Sequence, residues 1–184
     1  MQWRNTTIRW GAISQLFHWI IVILVIVQVT LGLIAHDLHG FAKFALLLKH
    51  KSVGITIFGL AILRLLWRWM NPAPPLPNTL KPWESVAARV THAGLYVLLF
   101  AMPLTGWANS SASNFPVRWF GLITLPALLA PDKPLANLFE DVHHWLAWCL
   151  LAVATLHIAA AMKHHFVLKD DVLKRMLPFT SVEK

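Results

Sequence analysis

Four stretches of about twenty apolar residues dominate this chain, at roughly 13–35, 50–70, 90–108 and 143–162, with their charges near the ends. About 20 apolar residues in a helix cross the ~30 Å hydrocarbon core of a bilayer. Backbone amides in lipid must be satisfied within the segment, so each run is read as a helix. Only 13% of the residues are charged and 57% are hydrophobic, whereas soluble domains carry about 25% charged residues. A large soluble catalytic domain is excluded. The first run is too long for a signal-peptide core and lacks a convincing small-residue cleavage site, so it is a retained span. The expected fold class is all-α, a single integral membrane domain of four transmembrane helices.

The connections follow from helix breakers and charge. A short loop carrying His36, Asp37, His39, Gly40 and Lys43 is expected after the first span. Asn71–Pro77 contains four prolines and reads as a stiff extended segment, within a linker over 71–82. Pro103 predicts a kink in the third span, and Asn109–Ser113 a polar break. Phe115–Asp141 is apolar but interrupted by Pro116, Pro126, Pro131 and Pro134, so a loop over 109–142 with short interfacial helices is expected. The tail from Lys163 is polar and basic. With the N-terminus inside, eleven of the sixteen Lys and Arg residues fall on the cytoplasmic side and five on the other. Both termini, and the 71–82 linker, are therefore expected in the cytoplasm, and the 109–142 loop in the periplasm. The net charge of +8 reads as this topology signal and not as a nucleic-acid surface. Tryptophans near the run ends suit an interfacial belt: Trp10, Trp19, Trp67, Trp69 and Trp83 on one side, Trp107, Trp119 and Trp145 on the other. The one cysteine, Cys149, permits no internal disulfide, and no C-x-x-C-H run offers covalent heme attachment.

Ten histidines in such a chain need a function, because ionisable groups inside spans are costly. His143 and His157 are fourteen residues apart, which on a helix is nearly the same face and a rise of about 21 Å. His144 points well away from that face. By depth, His18 near the inner end of the first span matches His157, and His50 at the outer start of the second matches His143. Two bis-histidine sites across one bundle suit two non-covalent b-type hemes. Fourteen residues after His18 is Gly32, and fourteen after His50 is Arg64. Gly32 and Gly54 would give a macrocycle room, and Arg64 could pair with a propionate. His164, seven residues beyond His157, and His92, at the start of the third span, are candidates for quinone binding or proton donation. His36, His39, His144 and His165 read as interfacial polar residues. A zinc site is disfavoured because the apolar runs hold no Asp or Glu and only Cys149. A heme-free, His-lined metal transporter remains a remote alternative, with little midplane polarity beyond Gln28, Thr30, Thr56 and Thr155.

Leu16-Phe17-His18-Trp19, His50-Lys51-Ser52-Val53-Gly54 followed by Arg64-Leu65-Leu66-Trp67-Arg68, the proline-rich linker, and His143-x13-His157 followed by Lys163-His164-His165-Phe166 resemble the bacterial cytochrome b561 family, over roughly residues 5–177. The resemblance implies a four-helix diheme cytochrome b of the inner membrane. Its ligand histidines would fall at His18, His50, His143 and His157. It implies electron transport between a periplasmic donor and the quinone pool, with ubiquinone as acceptor. One type of member is similar to a superoxide oxidase, which passes electrons from superoxide to ubiquinone. Other members act as electron carriers serving a separate redox partner. Lys43, Lys49 and Lys51 would form a basic collar at the outer entry, suited to an anionic donor. The expected partners are membrane lipid, quinone, and either superoxide or a periplasmic redox protein, with no nucleic acid.

Overall fold

A computed structural model describes residues 2–76 and 80–180 of the 184. Pro77 of the linker and Lys184 of the tail lie outside the described residues. Four long helices, α1 (Ala12–Asp37), α2 (Gly40–Met70), α3 (Pro82–Ala112) and α4 (Lys133–Met162), make up the bundle. Each is long and apolar enough to cross a membrane. The surface is inverted relative to a soluble protein. Leu16, Ile23, Ile26, Val97, Trp148 and Leu156 are exposed, while Ser14, Gln15, Ser52, Ser110 and Ser111 are buried. Large apolar side chains face the lipid, and small or polar ones make the helix contacts. A small apolar core of Ile21, Ile57, Ala61 and Leu99 ties α1, α2 and α3 together near mid-height.

The helices run well past the apolar stretches, because those stretches mark only the lipid-immersed length. α2 begins at Gly40, ten residues before His50, so the loop expected after α1 shrinks to a turn at Leu38 and His39. Gly40 has φ +59°, a conformation that favours glycine. His36 lies in the last helical turn of α1 and not in a loop. Asn109–Ser113 is not a break. Helix α3 continues to Ala112, with Ser111 Oγ donating to the Trp107 carbonyl at 3.0 Å and Ser110 Oγ to the Phe115 carbonyl. These serines satisfy themselves on local carbonyls, so polarity does not end the helix.

No short interfacial helices form between 115 and 132. The chain makes a two-residue antiparallel ladder instead, β1 (Arg118–Trp119) with β2 (Ile123–Thr124). Phe120 and Gly121, both at positive φ, make its turn. The hairpin docks on α2: Ser52 Oγ donates to the Arg118 carbonyl and receives the Phe120 amide, and Trp119 Nε1 donates to Thr56 Oγ1. Asp132 then caps α4 by accepting the Leu135 amide at 2.9 Å, with Pro134 in the first turn.

The two ends of the chain meet at one end of the bundle. Gln15 Nε2 and Trp19 Nε1 of α1 donate to the carbonyls of Arg175 and Met176, and Arg9 Nη2 to that of Leu177. Arg175 in turn donates to the Pro75 carbonyl of the linker. Helices α1 and α2, α2 and α3, and α3 and α4 pack as neighbours, whereas α1 and α4 barely touch.

Candidate functional site

Two imidazole pairs span the places where backbones do not pack. His18 of α1 faces His157 of α4 with ring centroids 6.3 Å apart and planes at 77°. His50 of α2 faces His143 of α4 at 6.2 Å and 72°. An imidazole nitrogen binds a metal at about 2 Å, and the ring centre lies about 1 Å behind it, so two rings on opposite sides of one metal have centroids about 6 Å apart. Both pairs have that separation. They sit fourteen residues apart along α4, about 21 Å.

The outer pair, away from the chain termini, is built for ring placement. A Cβ added at Gly32 would lie 3.3 Å from His50 Cε1, and one at Gly106 would lie 3.2 Å from His143 Cε1. Each glycine thus lets one imidazole lie against a helix backbone. Thr105 Oγ1 lies 3.1 Å from His143 Nδ1 and donates its hydrogen to the carbonyls of Ala101 and Met102. With that hydrogen on a helix carbonyl, Thr105 accepts from His143, which puts the proton on Nδ1 and leaves Nε2 a free lone pair. His50 Nδ1 and Gln28 Oε1 are buried with no hydrogen-bond partner among the described residues. Gln28 fills the space beside Gly54, where an added Cβ would meet its Nε2 at 3.1 Å. Next to His50, Lys51 Nζ donates to Ser110 Oγ at 2.6 Å and lies 3.2 Å from the Phe115 ring centre.

The inner pair is surrounded by bases. Arg64 Nη2 donates to His18 Nδ1 at 3.3 Å, and its guanidinium lies over Tyr96. Arg68 lies over Trp10 and Tyr96. His92 of α3 puts its ring 5.2 Å from that of His157. His164 stands apart from this group in a π-helical turn at the end of α4, Lys163–Leu168, and its Nδ1 pairs with Asp170 Oδ2 at 2.5 Å. Short π-helical segments recur at functional sites.

The structure thus brings together His18, His157, Arg64 and His92 at one level, and His50, His143 and Gly32 at the other. Gly54 lies one helical turn from His50 but faces Gln28. Thr105, Gly106 and Tyr96 are additions from the structure. Tyr96 carries a sequence signal, being the single tyrosine of the chain and four residues after His92. Gly106 has only its place inside an apolar run.

A membrane bundle with paired imidazoles between its helices is an arrangement suited to a membrane-embedded b-type cytochrome. The chain matches the family described as prokaryotic cytochrome b561 over residues 9–179, and it belongs to that family of membrane heme proteins. It is 41% identical over 181 residues to cytochrome b561 homolog 2 of Escherichia coli K12, covering 96% of this chain and 95% of that one. It is 33% identical over 165 residues to the probable superoxide oxidase CybB of Yersinia pestis, covering 88% and 91%. It is 29% identical over 180 residues to cytochrome b561 homolog 1 of E. coli K12, covering 92% and 97%. Membership implies heme b, and with the four spanning helices it makes this a multi-pass bacterial membrane protein.

Proposed function

We propose that this protein carries electrons across the bacterial inner membrane between a periplasmic donor and the quinone pool, holding two hemes b in the His18/His157 and His50/His143 pairs. The single observation carrying this reading is the repeated imidazole separation, 6.3 and 6.2 Å, at two depths along α4. Two one-electron centres in line offer a path through a barrier that a single site could not bridge. Heme b, when bound, supplies reversible one-electron chemistry.

The residues fit that group at both levels. Thr105, accepting from Nδ1, would favour the tautomer that leaves His143 Nε2 able to bind iron. Gly32 and Gly106 fix the ring positions. Arg64 and Arg68 supply positive charge for propionates at the inner level. For His18 to bind through Nε2, its Nδ1 must carry the proton, so Arg64 would exchange that contact for a carboxylate. The excess of Lys and Arg at the end holding both termini supports its cytoplasmic placement. There His164 and His92 are positioned to serve the proton needs of a quinone.

A second reading is supported by the relative named probable superoxide oxidase: the protein oxidises superoxide by itself and passes the electrons to ubiquinone. The Lys51 amine, held by Ser110 and the Phe115 carbonyl beside His50, places a basic group at the outer pair. With Lys43 and Lys49 it would draw in a small anion. Purified heme-loaded protein given a superoxide source and a soluble quinone separates the readings. Superoxide loss faster than dismutation, matched by quinol, establishes the enzyme. No acceleration, together with heme reduction by a periplasmic redox protein, establishes the carrier. Failure of any outer donor to deliver electrons to quinone overturns both.

A further inference from the structure

We infer that His36 and His144 form a binding site for a late first-row divalent metal ion, Cu²⁺ or Zn²⁺, at the outer rim of the α1–α4 seam. This site is distinct from both imidazole pairs. His36 closes the last turn of α1 and His144 lies on α4, one residue after His143, facing a different direction. Their ring centroids are 5.7 Å apart with planes at 84°. Two imidazoles at about 2 Å from one ion, with a bond angle between tetrahedral and linear, have centroids about 5–6 Å apart. The separation is therefore that of a shared ion without movement of either helix.

The chemistry of the donors agrees. His36 Nδ1 is 3.0 Å from Asp37 Oδ1. A carboxylate on one ring nitrogen fixes the tautomer and leaves Nε2 as the donor, the usual support for a metal-bound histidine. Both rings are exposed, so the ion enters from solvent. Among the described residues no three His, Cys, Asp or Glu side chains converge on an ion, so water completes the coordination. Glu140 and Asp141, four and three residues before His144, are acidic residues on that side of α4. Imidazole donors with open positions favour copper and zinc over magnesium or calcium. Because α1 and α4 barely pack elsewhere, an ion here joins two helices that the fold otherwise links through the His18/His157 pair.

The test is Cu²⁺ binding to tag-free, heme-loaded protein, followed by titration and by electron paramagnetic resonance, with Zn²⁺ as competitor. The expected result is one ion per chain carrying two nitrogen donors. His36→Ala and His144→Ala should each weaken binding at least about tenfold, while His39→Ala leaves it unchanged. His36 belongs to neither imidazole pair, so His36→Ala with an unaltered heme spectrum isolates the effect from any disturbance at His143. Zn²⁺ should also raise the melting temperature of the wild type and not that of His36→Ala. Equal affinity in wild type and His36→Ala, or no stoichiometric ion in the wild type, overturns the site.

Discussion

Replacing Gly106 with leucine tests how tightly the outer pair is built. A β-carbon at this position would lie 3.2 Å from His143 Cε1 and 3.4 Å from Nδ1, against a comfortable carbon contact of about 3.5–4.0 Å. Alanine would push the ring back by a few tenths of an ångström. Leucine adds three further carbons in the volume the imidazole occupies, a strain of about 1–3 kcal/mol if the ring stays. Moving the ring relieves that strain but separates it from His50 and from Thr105 Oγ1. The expected outcome is loss of one heme per chain, from about two to about one, with the inner pair retained. Gly59→Leu is the control, since a Cβ there meets nothing within 4 Å. Pyridine hemochrome absorbance per polypeptide, on detergent-purified protein of matched monodispersity, reads the result. Two hemes in Gly106→Leu with an unchanged reduced spectrum would refute the cradle argument.

Two further substitutions probe the inner end. Arg64→Leu removes a positive charge at the level of the His18/His157 pair, taken as about 7 Å from the redox centre that pair would hold. At an effective dielectric of about 20 that is worth about 2 kcal/mol, so potentiometric titration should show one heme shifted about 100 mV more negative. An unmoved potential at full heme content would contradict the placement. Asp170→Asn keeps the shape but removes the charge that holds His164 Nδ1 at 2.5 Å. Quinone reduction should fall about tenfold or more while heme content and spectra stay constant. An unchanged rate would leave that pair as a tether for the tail.

Depth and helical phase suffice to match His18 with His157 and His50 with His143, because each of these four lies on an apolar run whose direction through the membrane follows from chain order. The structure brings those rings together in those combinations. The same arithmetic puts Arg64 at the level of His18, where its guanidinium lies. Helix α3 is opaque to such reasoning, since it carries neither member of either pair and its rotation cannot be tied to the others by depth alone. Thr105, Gly106 and Tyr96 all come from that helix. The helix ends are equally hidden. Residues 40–49 and 133–142 are too polar or mixed to register as apolar runs, yet they continue the helices as far as Gly40 and the Asp132 cap. The Phe115–Pro131 segment is apolar enough to lie on the membrane, but its prolines and the positive-φ turn at Phe120–Gly121 favour a docked hairpin.

Heme counting on the wild type, His50→Ala and His157→Ala examines the central proposal most directly. The account predicts two hemes b per wild-type chain, and about one in each variant, with the surviving heme differing in potential between the two. One heme or none in the wild type, or two in either variant, would contradict it.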